Sequence, residues 1–319
     1  MTSLMSHALA ITLSAFAVVA MLTSALITLA GPMLARRIAR YAPAARARFL
    51  FRLRVLPAAC ALVCAFAVAL PVFLYFEPPD TDERLARTLL LVAAAGAALL
   101  ARGAWRAVTV WRATGAVMRD WQARGRRMDA FGAPMPVFAI EESFPTVAVV
   151  GFSHPVLFIA ERVLRECTAD EVRAMVLHEC AHVTYRDNLK RLLIRACPDA
   201  LRPNGPLDRA WSSAAEEAAD ARAAGTDRAF ALELAQALIR VARLAPRVST
   251  LEVVSAFYLG GSIESRVRRL VEPADSLPDP SRPLGCVLAC ATALFLGGLI
   301  VLGAPALHRL MEAAVGSLP

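Results

Sequence analysis

Charge is scarce in this chain, and where it is missing matters more than how little there is. Asp, Glu, Lys and Arg make up 19% of the 319 residues against 57% hydrophobic ones, so the chain is not an ordinary soluble domain throughout. Residues 8–30, 55–76 and 284–307 hold no charged side chain, and each run exceeds the ~20 apolar residues that cross a bilayer. A fourth run, 85–101, is shorter and extends toward Val110 with Arg102 and Arg106 reaching back to the interface. No basic residue precedes the first run, which argues against a cleaved leader and for a retained membrane helix. Acidic residues are absent between the first two runs, where Arg36, Arg37, Arg40, Arg46, Arg48, Arg52 and Arg54 cluster. The next connection, 77–83, is acidic, and Arg102, Arg106, Arg112, Arg119, Arg124, Arg126 and Arg127 follow the third run. Arginine-rich loops stay inside, so the N-terminus is expected outside, residues 102–283 inside and the tail outside.

Other absences exclude function classes. The seven cysteines show no disulfide framework. Cys60, Cys64, Cys286 and Cys290 fall in the apolar runs, and Cys167, Cys180 and Cys197 would face a reducing cytoplasm. No basic module interleaved with aromatics appears, so no nucleic-acid partner is expected; the net charge of +8 reads as topology and attraction to membrane lipids. The apolar runs contain neither acidic residues nor broken-helix repeats, which speaks against a transporter.

Histidine is scarce too, with five in the chain, yet two stand four apart in His178-Glu179-Cys180-Ala181-His182. On a helix this spacing puts both imidazoles on one face, with Glu179 near enough to reach a metal-bound water. At this composition the pattern arises by chance in about one chain in three hundred. Thr168-Ala169-Asp170-Glu171 has the form of a capping box that opens a helix, and Val172, Met175, Val176, Leu177 and Val183 supply its apolar stripe. No proline interrupts the run before Pro198.

A catalytic zinc needs a third protein ligand. His154 shares the compartment, but the better source is the alanine-rich segment from Trp211, which follows the helix breakers at 203–206. There Glu216 and Asp220 stand at i and i+4, a ligand and a carboxylate that could orient a ligating histidine. Asp220 also lies three residues from Glu217, so geometry alone does not choose between the two glutamates. Residues 131–283 suffice for one core. Strand-like runs at 137–140, 146–151 and 156–160, then helices at 161–166, around the motif, around Glu216, at 229–244 and at 263–271, predict an α+β domain. The strand near Val147 could accept an extended peptide at its edge.

The run 151–159, the histidine motif with Arg186-Asp187-Asn188, and Glu216-x-x-x-Asp220 resemble the antirepressor metallopeptidases of bacterial β-lactam sensors. The HtpX and CAAX-prenyl-protease group is similar in its HExxH and ExxxD elements. The resemblance spans about 137–270 and the arrangement of three membrane helices before the domain and one after it. It implies a gluzincin-like zinc metalloprotease domain (131–283) between helical transmembrane segments (1–130 and 284–319), in a bacterial inner membrane with the domain cytoplasmic. It also implies Zn2+ held by His178, His182 and Glu216, Glu179 as base, Asp220 behind the ligands, and a protein or peptide substrate. The Arg266-containing segment resembles the one that closes such domains, without the His-Pro-Pro lead-in of the HtpX group. The chain lacks the penicillin-binding domain of the sensors, so β-lactam sensing is not implied. Tyr185, Tyr258 and His154 are candidates for stabilising an oxyanion, each more readily read as structural. Quality control of membrane proteins, or a signalling scaffold with a structural zinc, are the alternative functions.

Overall fold

The computed structural model describes residues 2–76, 87–129, 132–142, 144–198, 200, 205–244 and 263–272. The apolar run 284–307, the acidic connection and Tyr258 lie outside the described residues. Three helical rods open the chain. Helix α1 is Thr2–Ile38; α2, Pro43–Val63, continues through a π-helical turn, Cys64–Ala69, into α3, Leu70–Phe76; α4 is Arg87–Arg124. The wider turn comes just before Pro71, whose ring would crowd the carbonyl of residue 67 in a regular α-helix. All three rods are long and apolar enough to cross a membrane. Phe16, Val19 and Ala20 of α1 pack on Cys60, Ala61 and Ala65, while Leu29, Phe66 and Leu91 point outward. Gly96 lets α4 approach α1, because a Cβ there would lie 2.2 Å from the Leu13 carbonyl oxygen.

Helix α4 is longer than the 85–101 apolar run suggests, because its arginine-rich second half continues the same helix. At its end Met118 and Trp121 pack against Ile140, Val150, Val156 and Phe158 of a small sheet. The strands are β1 (Arg126–Met128), β2 (Val137–Ile140), β3 (Val147–Val150) and β4 (Val156–Ala160), in spatial order β1-β2-β4-β3. The sheet is mixed: β2 and β4 are parallel, and the flanking pairs antiparallel. β1 is the one strand not foreseen, since Arg126-Arg127-Met128 has no strand-like composition and pairs only along the edge of β2. The opposite face of the sheet, with Val149, Leu157 and Ile159, packs on Val163, Val172, Met175, Val176, Ala237 and Val241.

The helices that follow are α5 (Glu161–Glu166), α6 (Ala169–Tyr185), α7 (Asp187–Ala196), α8 (Gly205–Ala224), α9 (Arg228–Leu244) and α10 (Ile263–Val271), of which α5, α6 and α9 cover that face. The capping box forms as the sequence predicts: Glu171 N–H donates to Thr168 Oγ1 at 3.2 Å, and Thr168 N–H donates to Glu171 Oε2 at 2.8 Å. The helical run toward Pro198 is not continuous. Arg186 takes a left-handed conformation, φ 55 and ψ 40, and separates α6 from α7. Helix α8 docks on the first two rods through Leu207, Trp211, Ala214 and Ala215 against Ile27, Leu50 and Leu53. Helix α7 docks on α4 at Gly103, where a Cβ would lie 2.4 Å from the Ala196 carbonyl oxygen. Arg54 is buried in this seam, donating to Asp208 Oδ1 at 2.7 Å and to the Ile194 carbonyl at 3.4 Å. The sheet and its helices are thus packed directly onto the rods.

Candidate metal centre

Helix α6 presents both motif histidines to one buried spot. Their rings meet edge to face with centroids 4.7 Å apart, and Nε2 lies 3.1 Å from Nε2. Donor atoms of His178, Glu179 and His182 lie within 4.8 Å of one another and could hold a metal ion. From α8, Glu216 adds Oε2 at 3.4 Å from His178 Nε2 and Oε1 at 3.6 Å from His182 Nε2. Bonds of about 2.1 Å at tetrahedral angles put ligand atoms roughly 3.4 Å apart, so these spacings fit a four-coordinate ion. The donor set, two imidazoles and a carboxylate, suits zinc chemically.

Carboxylates stand behind both rings. Asp187 Oδ2 accepts from His182 Nδ1 at 2.8 Å, which fixes the proton on that nitrogen and leaves Nε2 to the cluster. Asp220 Oδ1 lies 2.9 Å from His178 Nδ1, a close charge contact that lies off the direction of a straight hydrogen bond, so Nδ1 has no aligned partner. The turn at Arg186 delivers Asp187, the first residue of α7, beneath the ring five positions back. Lys190 Nζ donates to Asp187 Oδ1 at 3.1 Å.

Arginines complete the cluster. Arg266 of α10 grips Asp220 with two hydrogen bonds, both 2.7 Å, and its guanidinium lies 3.2 Å from Glu216 Oε2 and 3.5 Å from His178 Nε2. Arg191 of α7 donates to Glu216 Oε1 at 3.1 Å. Burial disfavours charge on Glu216, Asp220 and His178, yet the partners prevail. Glu216 and Asp220 are held below their ordinary values by His182 and Arg266 respectively, and His178 is raised by Asp220 and Glu216.

Glu179 faces the sheet. Its Oε2 accepts the Val149 N–H at 3.0 Å, and Asn188 Nδ2 donates to the Val149 and Gly151 carbonyls at 2.9 and 3.1 Å. The Ala160 N–H bonds the Thr146 carbonyl, so alternation along β3 turns the polar groups of Val147 and Val149 away from β4. Those of Val149 are taken by Glu179 and Asn188; Val147 presents its own at the open edge, without a partner among the described residues.

Other expected residues sit elsewhere. His154 is exposed, its Nδ1 3.1 Å from Ser153 Oγ. The Tyr185 ring has Lys190 and Arg222 at 5.9 and 5.5 Å from its centroid, an arrangement that anchors the helix end. Cys180 packs against the core, and it, Cys60, Cys64 and Cys167 are free thiols. Glu217, which geometry alone did not separate from Glu216, is buried away from the histidines: its Oε2 accepts from Arg46 of α2 and Arg269 of α10, and Ser213 Oγ donates to Oε1 at 3.2 Å. Asp187 and Asn188 stand in the run that carries the resemblance and Arg266 in the segment that resembles a domain-closing one, but none was given a part in the site, and Arg191 was not singled out. For Asp187 a signal existed, an aspartate directly after the helix that bears a ligand-like histidine. No protein-family model and no curated protein matches this chain.

Proposed function

We propose that the chain is a zinc-dependent endopeptidase built into a membrane, cutting a protein or peptide substrate on the cytoplasmic side. In this reading residues 131–283 form a gluzincin-like domain between three membrane helices and a fourth at 284–307. The observation that carries it is the spacing of His178 Nε2, His182 Nε2 and the Glu216 carboxylate, 3.1–3.6 Å apart, with Glu179 beside them. His178, His182 and Glu216 would hold the ion. Bound zinc lowers the pKa of a coordinated water and polarises a carbonyl.

The chain's residues do the rest. Glu179 takes a proton from the attacking water and returns it to the leaving amine. Its hydrogen bond to Val149 ties that base to the β3 edge, so a peptide pairing there lies alongside it. Asp187 keeps His182 in the tautomer that aims Nε2 inward, and Asp220, steadied by Arg266, lies behind His178.

The test is metal analysis together with a cleavage assay. Glu179→Gln should lower hydrolysis by about 10²–10⁴-fold while about one zinc per chain remains, because the residue moves protons and holds no metal. Loss of the metal with the activity would give Glu179 a structural role. Unchanged hydrolysis would end the reading.

A further inference from the structure

We infer that Glu217 is a positioning residue through which the seat of the α1–α2 hairpin sets the hold of Arg266 on the metal centre. Glu216 and Glu217 are adjacent on α8 and so point about 100° apart. The first faces the histidines. The second faces two other elements at once, and one oxygen, Oε2, accepts from both Arg46 and Arg269.

The two arginines differ in what they are attached to. Arg46 lies in the first turn of α2, and its Nη1 also donates to the Ala39 carbonyl at 3.3 Å, in the turn between α1 and α2. Its Nε is buried with no partner among the described residues, so this seat does not satisfy the guanidinium completely. Arg269 lies three residues after Arg266 on α10, on the neighbouring part of the same face. That helix has nine residues and buries only Leu270 below a tenth of its surface, too little to hold it by apolar packing alone. Leu270 and Val267 pack on Ala174 and α9, and charge adds the rest of the hold: Arg266 on Asp220 and Glu216, Arg269 on Glu217, and Arg228 on the carbonyls of Leu270, Val271 and Glu272. A shift of the hairpin that withdraws Arg46 leaves Glu217 Oε2 to Arg269 alone. That re-seats α10, and with it the guanidinium 3.2 Å from the Glu216 carboxylate.

For its metal readout this inference rests on Glu216 being a ligand. The experiment therefore has two arms on the full chain in lipid nanodiscs, with Zn2+ or Co2+ alone as probe. In the first, Arg46→Ala should weaken Co2+ binding about tenfold, the scale of a coupling between sites, and alter the cobalt absorption bands. Arg46→Lys should restore much of both. Arg46→Ala should add nothing in a Glu217→Gln background. In the second, hydrogen exchange of α10 amides should quicken in Arg46→Ala, although that side chain belongs to α2. Asp208→Asn is the control: it weakens the docking of the same helix at Arg54 without touching α10. The inference is overturned if Arg46→Ala leaves α10 exchange unchanged, or if Asp208→Asn quickens it as much. If the wild-type chain takes up no cobalt and His178→Ala changes nothing, the metal reading has failed, and the exchange arm alone decides the coupling.

Discussion

His182 has an unusual balance of forces for an imidazole. Burial opposes its charge, but Glu216 across the cluster and the hydrogen bond to Asp187 push it up to about 10 from an ordinary 6.5. A histidine raised in this way stabilises the fold fully below 6.5 and loses that contribution as pH climbs toward 10. Glu216, lowered well below 4.5, contributes above that value and loses its contribution as pH falls through its folded pKa. The metal-free cluster therefore stabilises the fold most between these two ordinary values. Zinc asks for the reverse, imidazoles free of a proton on Nε2. At fixed zinc, the gain in Tm should grow from about pH 6 to about pH 9 and shrink toward about pH 5. A gain that stays flat over that range would separate the histidines from the metal. The two glutamates make a second residue-scale test. Glu216→Ala should cost several kcal/mol of zinc binding, and Asp220→Ala about 10–100-fold in affinity. Glu217→Ala, which leaves every donor atom in place, should cost the least, at most about tenfold. If Glu217→Ala strips the metal and Glu216→Ala does not, the third ligand has been placed one residue too early.

At the scale of elements, the break between α6 and α7 does most to assemble the site. A left-handed arginine costs about 1–2 kcal/mol relative to ordinary helical backbone, and here the side chain is exposed and brings no packing in return. What the turn provides is placement, with Asp187 under His182 and Asn188 on the outer edge of β3. Arg186→Gly should raise thermal stability, by about 1 kcal/mol, with zinc affinity unchanged. Lower stability in the glycine variant would mean that the arginine side chain holds the turn. This turn also marks where sequence reasoning stopped. The capping box, the apolar stripe of α6 and the strands β2, β3 and β4 are local patterns, visible within a few residues of one another. A left-handed arginine has no such pattern; a glycine would have announced it. The burial of Glu217 was equally illegible, because Arg46 lies 171 positions away and only the docking of α8 on α2 brings the charges together.

Across the whole molecule, the rods and the sheet-bearing part form one packed unit. Helix α4 has 38 residues and so runs about 57 Å, against roughly 30 Å of bilayer hydrocarbon, and its surplus reaches the sheet at Met118 and Trp121. Trp105 and Trp111, 74% and 61% exposed, lie in the stretch where the helix would leave the lipid, a usual depth for tryptophan. Some arginines that suggest the orientation also have a structural use. Arg46 and Arg54 neutralise Glu217 and Asp208 inside the docking seam, so neither charge is free to meet lipid headgroups. The asymmetry survives their removal: Arg36, Arg37, Arg40 and Arg52 remain exposed between the end of the first rod and the first half of the second, and Arg102, Arg112 and Arg119 along the third. The docking adds a constraint of its own, since α7 and α8 pack against the ends of the rods near these arginines and must share their side of the membrane. A reporter fused after Val271 should therefore behave as cytoplasmic, and one fused after Pro319 as exported. An exported reporter after Val271 would place the metal centre on the opposite face, and would mean that the exposed arginines serve the docking seam and say nothing about orientation.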